Sequence, residues 1–148
     1  METVPGPIQK ANDMSDDTPT TSPAPPHPAM LWSGRILSGL IGAMFGMSAV
    51  MKFVGGPEMK EGMSRFGIPE TMALPLGIVE AVCVIAYLIP QTCVTGAILL
   101  TGYLGGAICT HWRVGDVFVV HIILGVLLWV ALWLREPRLR PLAPLRRM

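Results

Sequence analysis

Four apolar stretches of about 20 residues each follow one another along the chain, at approximately 33–54, 71–89, 92–110 and 117–134. A helix needs about 20 apolar residues to cross roughly 30 Å of hydrocarbon, so each stretch has the length of a membrane span. The soluble alternative is four buried core helices, and such helices should each show a charged face. These do not: TMALPLGIVEAVCVIAYLI holds one charge and VFVVHIILGVLLWVALWL none. The expected fold is therefore all-α, a four transmembrane helix antiparallel bundle in contact with lipid. The connections agree with it. Pro90-Gln91 leaves room only for a tight turn between neighbouring helices, and His111 to Asp116 is almost as short.

Composition divides the chain further. Of 148 residues 51% are apolar and 14% charged, but residues 1–30 hold seven of the fourteen prolines, four acidic residues and one lysine. A segment like that buries too little surface to offset its ordering entropy, so 1–30 is expected to be a disordered tail. It has no basic n-region before an apolar core, which leaves the first span as an uncleaved signal-anchor. Residues 31–136 form the membrane domain, and 137–148 a basic C-terminal tail. The net charge of +1 and the scattered basic residues exclude a nucleic-acid-binding face. Cys83, Cys93 and Cys109 form no CxxC pair, so neither a disulfide framework nor a metal site is expected.

The long link GGPEMKEGMSRFGIPE offers two readings. Pro57 can open a short interfacial helix with Met59, Met63 and Phe66 on one face, or the segment is a plain solvated loop. Gly67 and Pro69 would end such a helix, and Pro75 is expected to bend the second span. With four spans, Lys10, Arg35, Arg135, Arg138, Arg140, Arg146 and Arg147 share one side of the membrane, seven basic residues against four (Lys52, Lys60, Arg65, Arg113). That bias places both termini in the cytoplasm, in a bacterial cytoplasmic membrane.

Helices in lipid associate through small residues that let backbones approach. Gly34, Ser38, Gly42 and Gly46 form one such stripe on the first span. The third span carries two, Ala97-Thr101-Gly105-Cys109 and Gly102-Gly106-Thr110, as a helix packed on both sides would. Ionisable residues at membrane depth are the functional candidates. Glu80 lies about 14 Å into the second span, counted from Thr71 at 1.5 Å per residue. Alternating span directions bring Lys52, His111, Arg113, Asp116 and His121 to the same half of the membrane, which suggests a polar pocket with Glu80 at its floor. The alternatives are simpler. Lys52 snorkels to the headgroups, His111 and Arg113 are interface residues beside the anchor Trp112, and His121 or Glu80 is part of a packing or ion-pair contact. Two histidines on facing helices could also ligate a haem, although no spacing requires it.

GRILSGL at 34–40, MKF at 51–53, FGIPE at 66–70, LPLGIVEAVCVIAYLIP, TGAILLTGYLGGAICTHWRVGD at 95–116 and the exit WLREPRLRPL together resemble the DoxX-like family of small membrane proteins. The resemblance runs from Trp32 to Arg147. It implies a four-helix membrane bundle and, by likeness to some relatives, a membrane subunit of an oxidoreductase or quinone-linked assembly. A cysteine pair able to shuttle electrons is absent, which argues against direct thiol chemistry. Three functions are therefore expected to compete. The first is an accessory redox subunit, not itself catalytic, with oxidoreductase subunits, a quinone or a second copy as partners. The others are a small proton-coupled transporter using Glu80, and a structural membrane protein without a ligand.

Overall fold

The computed structural model describes residues 28–139 of the chain; most of the two expected tails, 1–27 and 140–148, lies outside the described residues. Five α-helices follow in order: α1 (Pro28–Val54), α2 (Pro57–Arg65), α3 (Ala73–Leu88), α4 (Cys93–Arg113) and α5 (Val119–Arg135). A 3₁₀ turn at Glu70–Met72 leads into α3, another at Pro137–Leu139 follows α5, and no strand occurs among the described residues.

The boundaries shift from those expected. The first helix is already formed at Pro28, ahead of the expected 33. Pro75, expected to kink the second span, sits instead in the first turn of α3, where an N–H is not required. The third span, α4, runs one turn beyond 110, so His111 and Arg113 belong to its last turn and not to a loop. It closes where Gly115 adopts φ +69° and the amides of Gly115 and Asp116 return to Trp112 and His111. The fourth predicted span begins only at Val119, because Asp116 Oδ1 accepts the Val117 amide at 2.8 Å before the helical ladder starts.

Three helical segments, Pro28–Val54, Glu70–Leu88 and Cys93–Arg113, are long and apolar enough to cross a membrane; Val119–Arg135 is a shorter apolar helix of 17 residues. Helix α1 packs against α3 and α5, and α4 packs against the same two. Tyr87, Leu100, Leu128 and Leu132 are fully enclosed between them. The outer surface is apolar as well: Ile36, Leu40, Met47, Val82, Ile98 and Val126 are all exposed. Apolar area facing water costs about 25 cal/mol per Å², a cost that vanishes in hydrocarbon. The segment after α1 takes the helical reading, with Met63 buried and Gly67 closing it at φ +63°.

The small-residue stripes are used unevenly. On α1, a Cβ at Gly34 would lie 2.6 Å from the Arg135 amide nitrogen, Ser38 Oγ sits 3.1 Å from Tyr87 Oη, and Gly42 faces Leu88. Gly46 has nothing within 4 Å. Helix α4 does pack on two sides, against α3 and α5, but not through the glycines expected to do it. Gly102, Gly105 and Gly106 each look into open space, because α4 turns Leu100 and Leu104 inward instead. The tightest approach falls at Gly96, outside both stripes, where a Cβ would stand 2.2 Å from the Tyr87 nitrogen.

Candidate functional site

The site begins with an i, i+4 pair on α1. Ser48 and Lys52 lie one turn apart on the same face, and Lys52 Nζ donates to Ser48 Oγ at 2.7 Å. Helix α3 brings Glu80 to the same point. Lys52 Nζ lies 2.8 Å from Glu80 Oε2, and Ser48 Oγ donates to that oxygen at 3.3 Å. Glu80 is 1% exposed. A carboxylate so enclosed needs a counter-charge and hydrogen bonds, and these two α1 residues provide both. Of the partners considered for Glu80, Lys52 takes the place and His121 does not. Lys52 reaches inward, with its side chain 19% exposed, and does not snorkel outward. Tyr103 on α4 also interacts with Glu80.

A second cluster sits where the last turn of α4 meets the first of α5. The rings of His111 and His121 are 4.4 Å apart at centroids, and Phe66, just past α2, lies 4.4 Å from His111 on another side. Asp116 Oδ2 is 3.3 Å from His111 Nδ1, and Asp116 Oδ1 is 3.3 Å from Arg65 Nη2. The Val117 amide bonded to Asp116 is the main reason its carboxyl is held below its ordinary range, and Arg65 and His111 add to the effect. The His111–Asp116 approach has ion-pair distance but not the alignment of a hydrogen bond, and His111 Nδ1 and His121 Nδ1 are both buried without a hydrogen-bond partner.

Both clusters line one cavity of about 750 Å³, bounded by α1, α2, α4 and α5 with Glu80 and Leu76 of α3. Glu80, Lys52, His111 and His121 face it, together with Tyr103 and a set of methionines. Arg113 and Asp116, expected at the same pocket, do not line it. Arg113 Nη2 donates to the Phe66 carbonyl and ties α4 to the link after α2, while Asp116 ties Arg65 to His111. These two residues brace the rim because the extra helical turn at the end of α4 carries Arg113 past the cavity.

Sequence reasoning passed over several participants. Tyr103 stands ten residues before Arg113, about 15 Å along the helix and hence level with Glu80. The depth count that singles out Glu80 would also have found it. Met63 and Phe66 share a helix face by their spacing, but that Phe66 meets His111 and Arg65 meets Asp116 depends on how α2 folds back, for which the sequence holds no signal. At the opposite end, the Tyr87 hydroxyl donates to the Leu128 carbonyl at 3.2 Å, and the Arg135 guanidinium lies 4.5 Å from the Tyr87 ring centre. Neither residue stood out in the sequence. Cys83 and Cys93 are buried and Cys109 exposed, all three as free thiols.

Apolar helices of membrane length and many large apolar side chains on their outer faces define a small α-helical membrane protein. Within that class the chain belongs to the DoxX-like family, whose profile matches residues 36–135. No curated protein and no solved structure matches the chain.

Proposed function

We propose that the chain is a four-span antiparallel bundle serving as an accessory membrane subunit of a redox assembly, and that its cavity holds a quinone-class molecule without catalysing a reaction alone. The cross-helix pairs support opposite directions for neighbouring helices. Ser38 meets Tyr87 while Ser48 meets Glu80, and Thr101 meets Trp129 while His111 meets His121. The excess of basic residues near the termini puts both in the cytoplasm and the cavity in the opposite leaflet.

The observation that carries the reading is the cavity itself. Its ≈ 750 Å³ falls in the range of small-molecule sites, and its wall is mainly apolar with a few convergent polar groups. A quinone headgroup needs an apolar slot for its ring and donors for its carbonyl oxygens. Lys52 and Tyr103 supply donors at the deep end. The test is purification from native membranes in mild detergent, followed by solvent extraction, quinone assay and identification of co-purifying proteins. The reading expects near-stoichiometric quinone, reduced in Tyr103→Phe, and an oxidoreductase subunit in the preparation. A preparation with neither sinks it.

One observation favours a second reading, proton-coupled transport: Glu80 is a buried carboxylate facing a cavity at membrane depth. Its neutralisation by Lys52 of the same chain leaves it less free to take a cationic substrate. Proton-coupled uptake by protein-containing liposomes, abolished by Glu80→Gln, would move the conclusion to this reading.

A further inference from the structure

The rim end of the cavity has chemistry that the redox-subunit reading does not use. His111 and His121 come from different helices, their ring centroids are 4.4 Å apart, and both Nδ1 atoms are buried without a hydrogen-bond partner. Two adjacent imidazoles with buried Nδ1 atoms are poor packing residues, since no hydrogen bond satisfies either nitrogen. Asp116 stands 3.3 Å from His111 Nδ1, close enough for its carboxylate to favour positive charge at that ring.

The cavity lining also carries thioether. Four of the ten methionines in the chain, Met44, Met51, Met59 and Met63, face this one cavity. Met63 is buried and stands one helical turn before Phe66, whose ring touches His111. Thioether sulfur is a soft, uncharged donor that selects Cu(I), and imidazole suits the same ion. Zn(II) prefers four ligands drawn from thiolate, imidazole and carboxylate; no group of three or more such side chains is gathered among the described residues. Hard cations want several oxygen ligands, and beyond Glu80, which Lys52 engages, Glu58 is the one other carboxylate on the lining.

We propose that His111 and His121, with thioether sulfur from the Met59–Met63 face of α2, form a binding site for a single Cu(I) ion at the rim of the cavity. The ligands are neutral, so the bound ion brings one positive charge, and Asp116 balances it from behind His111. This site does not depend on the quinone reading, because it uses the opposite end of the cavity from Lys52 and Tyr103.

The test is an anaerobic titration of the purified full-length protein in detergent with Cu(I), using bicinchoninate as competing chelator, followed by X-ray absorption at the copper edge. The expected result is one ion per chain with both nitrogen and sulfur scatterers. His121→Ala and Met63→Leu should each weaken binding at least ten-fold, while Met47→Leu, on the outer surface of α1, should leave it unchanged. Absence of stoichiometric binding, a copper shell without sulfur, or unaltered affinity in both cavity variants overturns the proposal. Should His121→Ala fail to fold, Met63→Leu and the wild-type sulfur shell still decide, since the leucine exchange preserves volume. Quinone content measured in the same preparations separates the two ideas: loss of copper with quinone retained removes only the metal site.

Discussion

Lys52 and Glu80 stand 28 positions apart in the chain and 2.8 Å apart in space, joining α1 to α3 at the floor of the cavity. Glu80 is almost wholly enclosed whereas the Lys52 side chain is 19% exposed, which makes the two residues unequal when one is removed. Lys52→Met leaves a carboxylate buried without its cation and should cost about 3–5 kcal/mol. Glu80→Leu leaves an ammonium that can turn toward the cavity and should cost less. The double variant should be more stable than Lys52→Met alone. Thermal unfolding in a fixed detergent measures all three, and equal losses for the two single variants would contradict the burial argument.

Close backbone approach is concentrated at two glycines. Gly96→Ala would press a methyl to 2.2 Å from the Tyr87 nitrogen and Gly34→Ala to 2.6 Å from the Arg135 nitrogen, both against backbone that cannot yield locally. Each should destabilise by about 3 kcal/mol or more, the upper range for overpacking. Gly102→Ala meets nothing within 4 Å and should leave the unfolding temperature of the monomer unchanged. Parallel melts of the three variants check the contrast.

Tyr87 buries a hydroxyl that donates to the Leu128 carbonyl and meets Ser38 Oγ. Tyr87→Phe removes both contacts and leaves the buried Ser38 hydroxyl without this partner, so it should cost about 1–3 kcal/mol, while Ser38→Ala, which leaves the Leu128 bond intact, should cost less. The same unfolding assay ranks them, and a silent Tyr87→Phe would show that the hydroxyl contacts add nothing.

The Asp116 carboxyl is held below its ordinary range chiefly by the Val117 amide, with Arg65 and His111 adding to it. The folded state therefore binds fewer protons there than the unfolded chain. The resulting stabilisation is complete above the ordinary aspartate range and disappears as pH falls through the depressed native value. Asp116→Asn should flatten the acid limb of a stability-versus-pH curve and leave its neutral part almost level. An unchanged acid limb would remove Asp116 from the account.

Much of the architecture could be read from residue types alone. The helical segments follow from local hydropathy, and the tight turn at Pro90-Gln91 and the short helix opened by Pro57 follow from local chemistry. Glu80 was legible because a carboxylate inside an apolar run needs an account wherever it occurs. Tyr103 was equally legible by depth and was passed over because a phenol does not conflict with an apolar segment. The glycines misled for a related reason. A periodic stripe such as Gly102-Gly106-Thr110 states that close approach is possible on that face, while Gly96, which belongs to no stripe, is where it happens.

By itself, then, the sequence determined that this chain makes apolar helices in a membrane, where the short turns fall and which ionisable groups lie at depth. These are local properties, set by the run of side chains along about 20 residues and by the cost of bringing polar backbone into hydrocarbon. The tertiary structure alone decided that Glu80 takes Lys52, that Arg113 turns to the Phe66 carbonyl, that His111 meets His121, and that α2 folds back to line the cavity with Met59 and Met63. Those pairings depend on the rotation and register of each helix against its neighbours. A turn of 100° about a helix axis replaces one facing side chain by another at no change in composition.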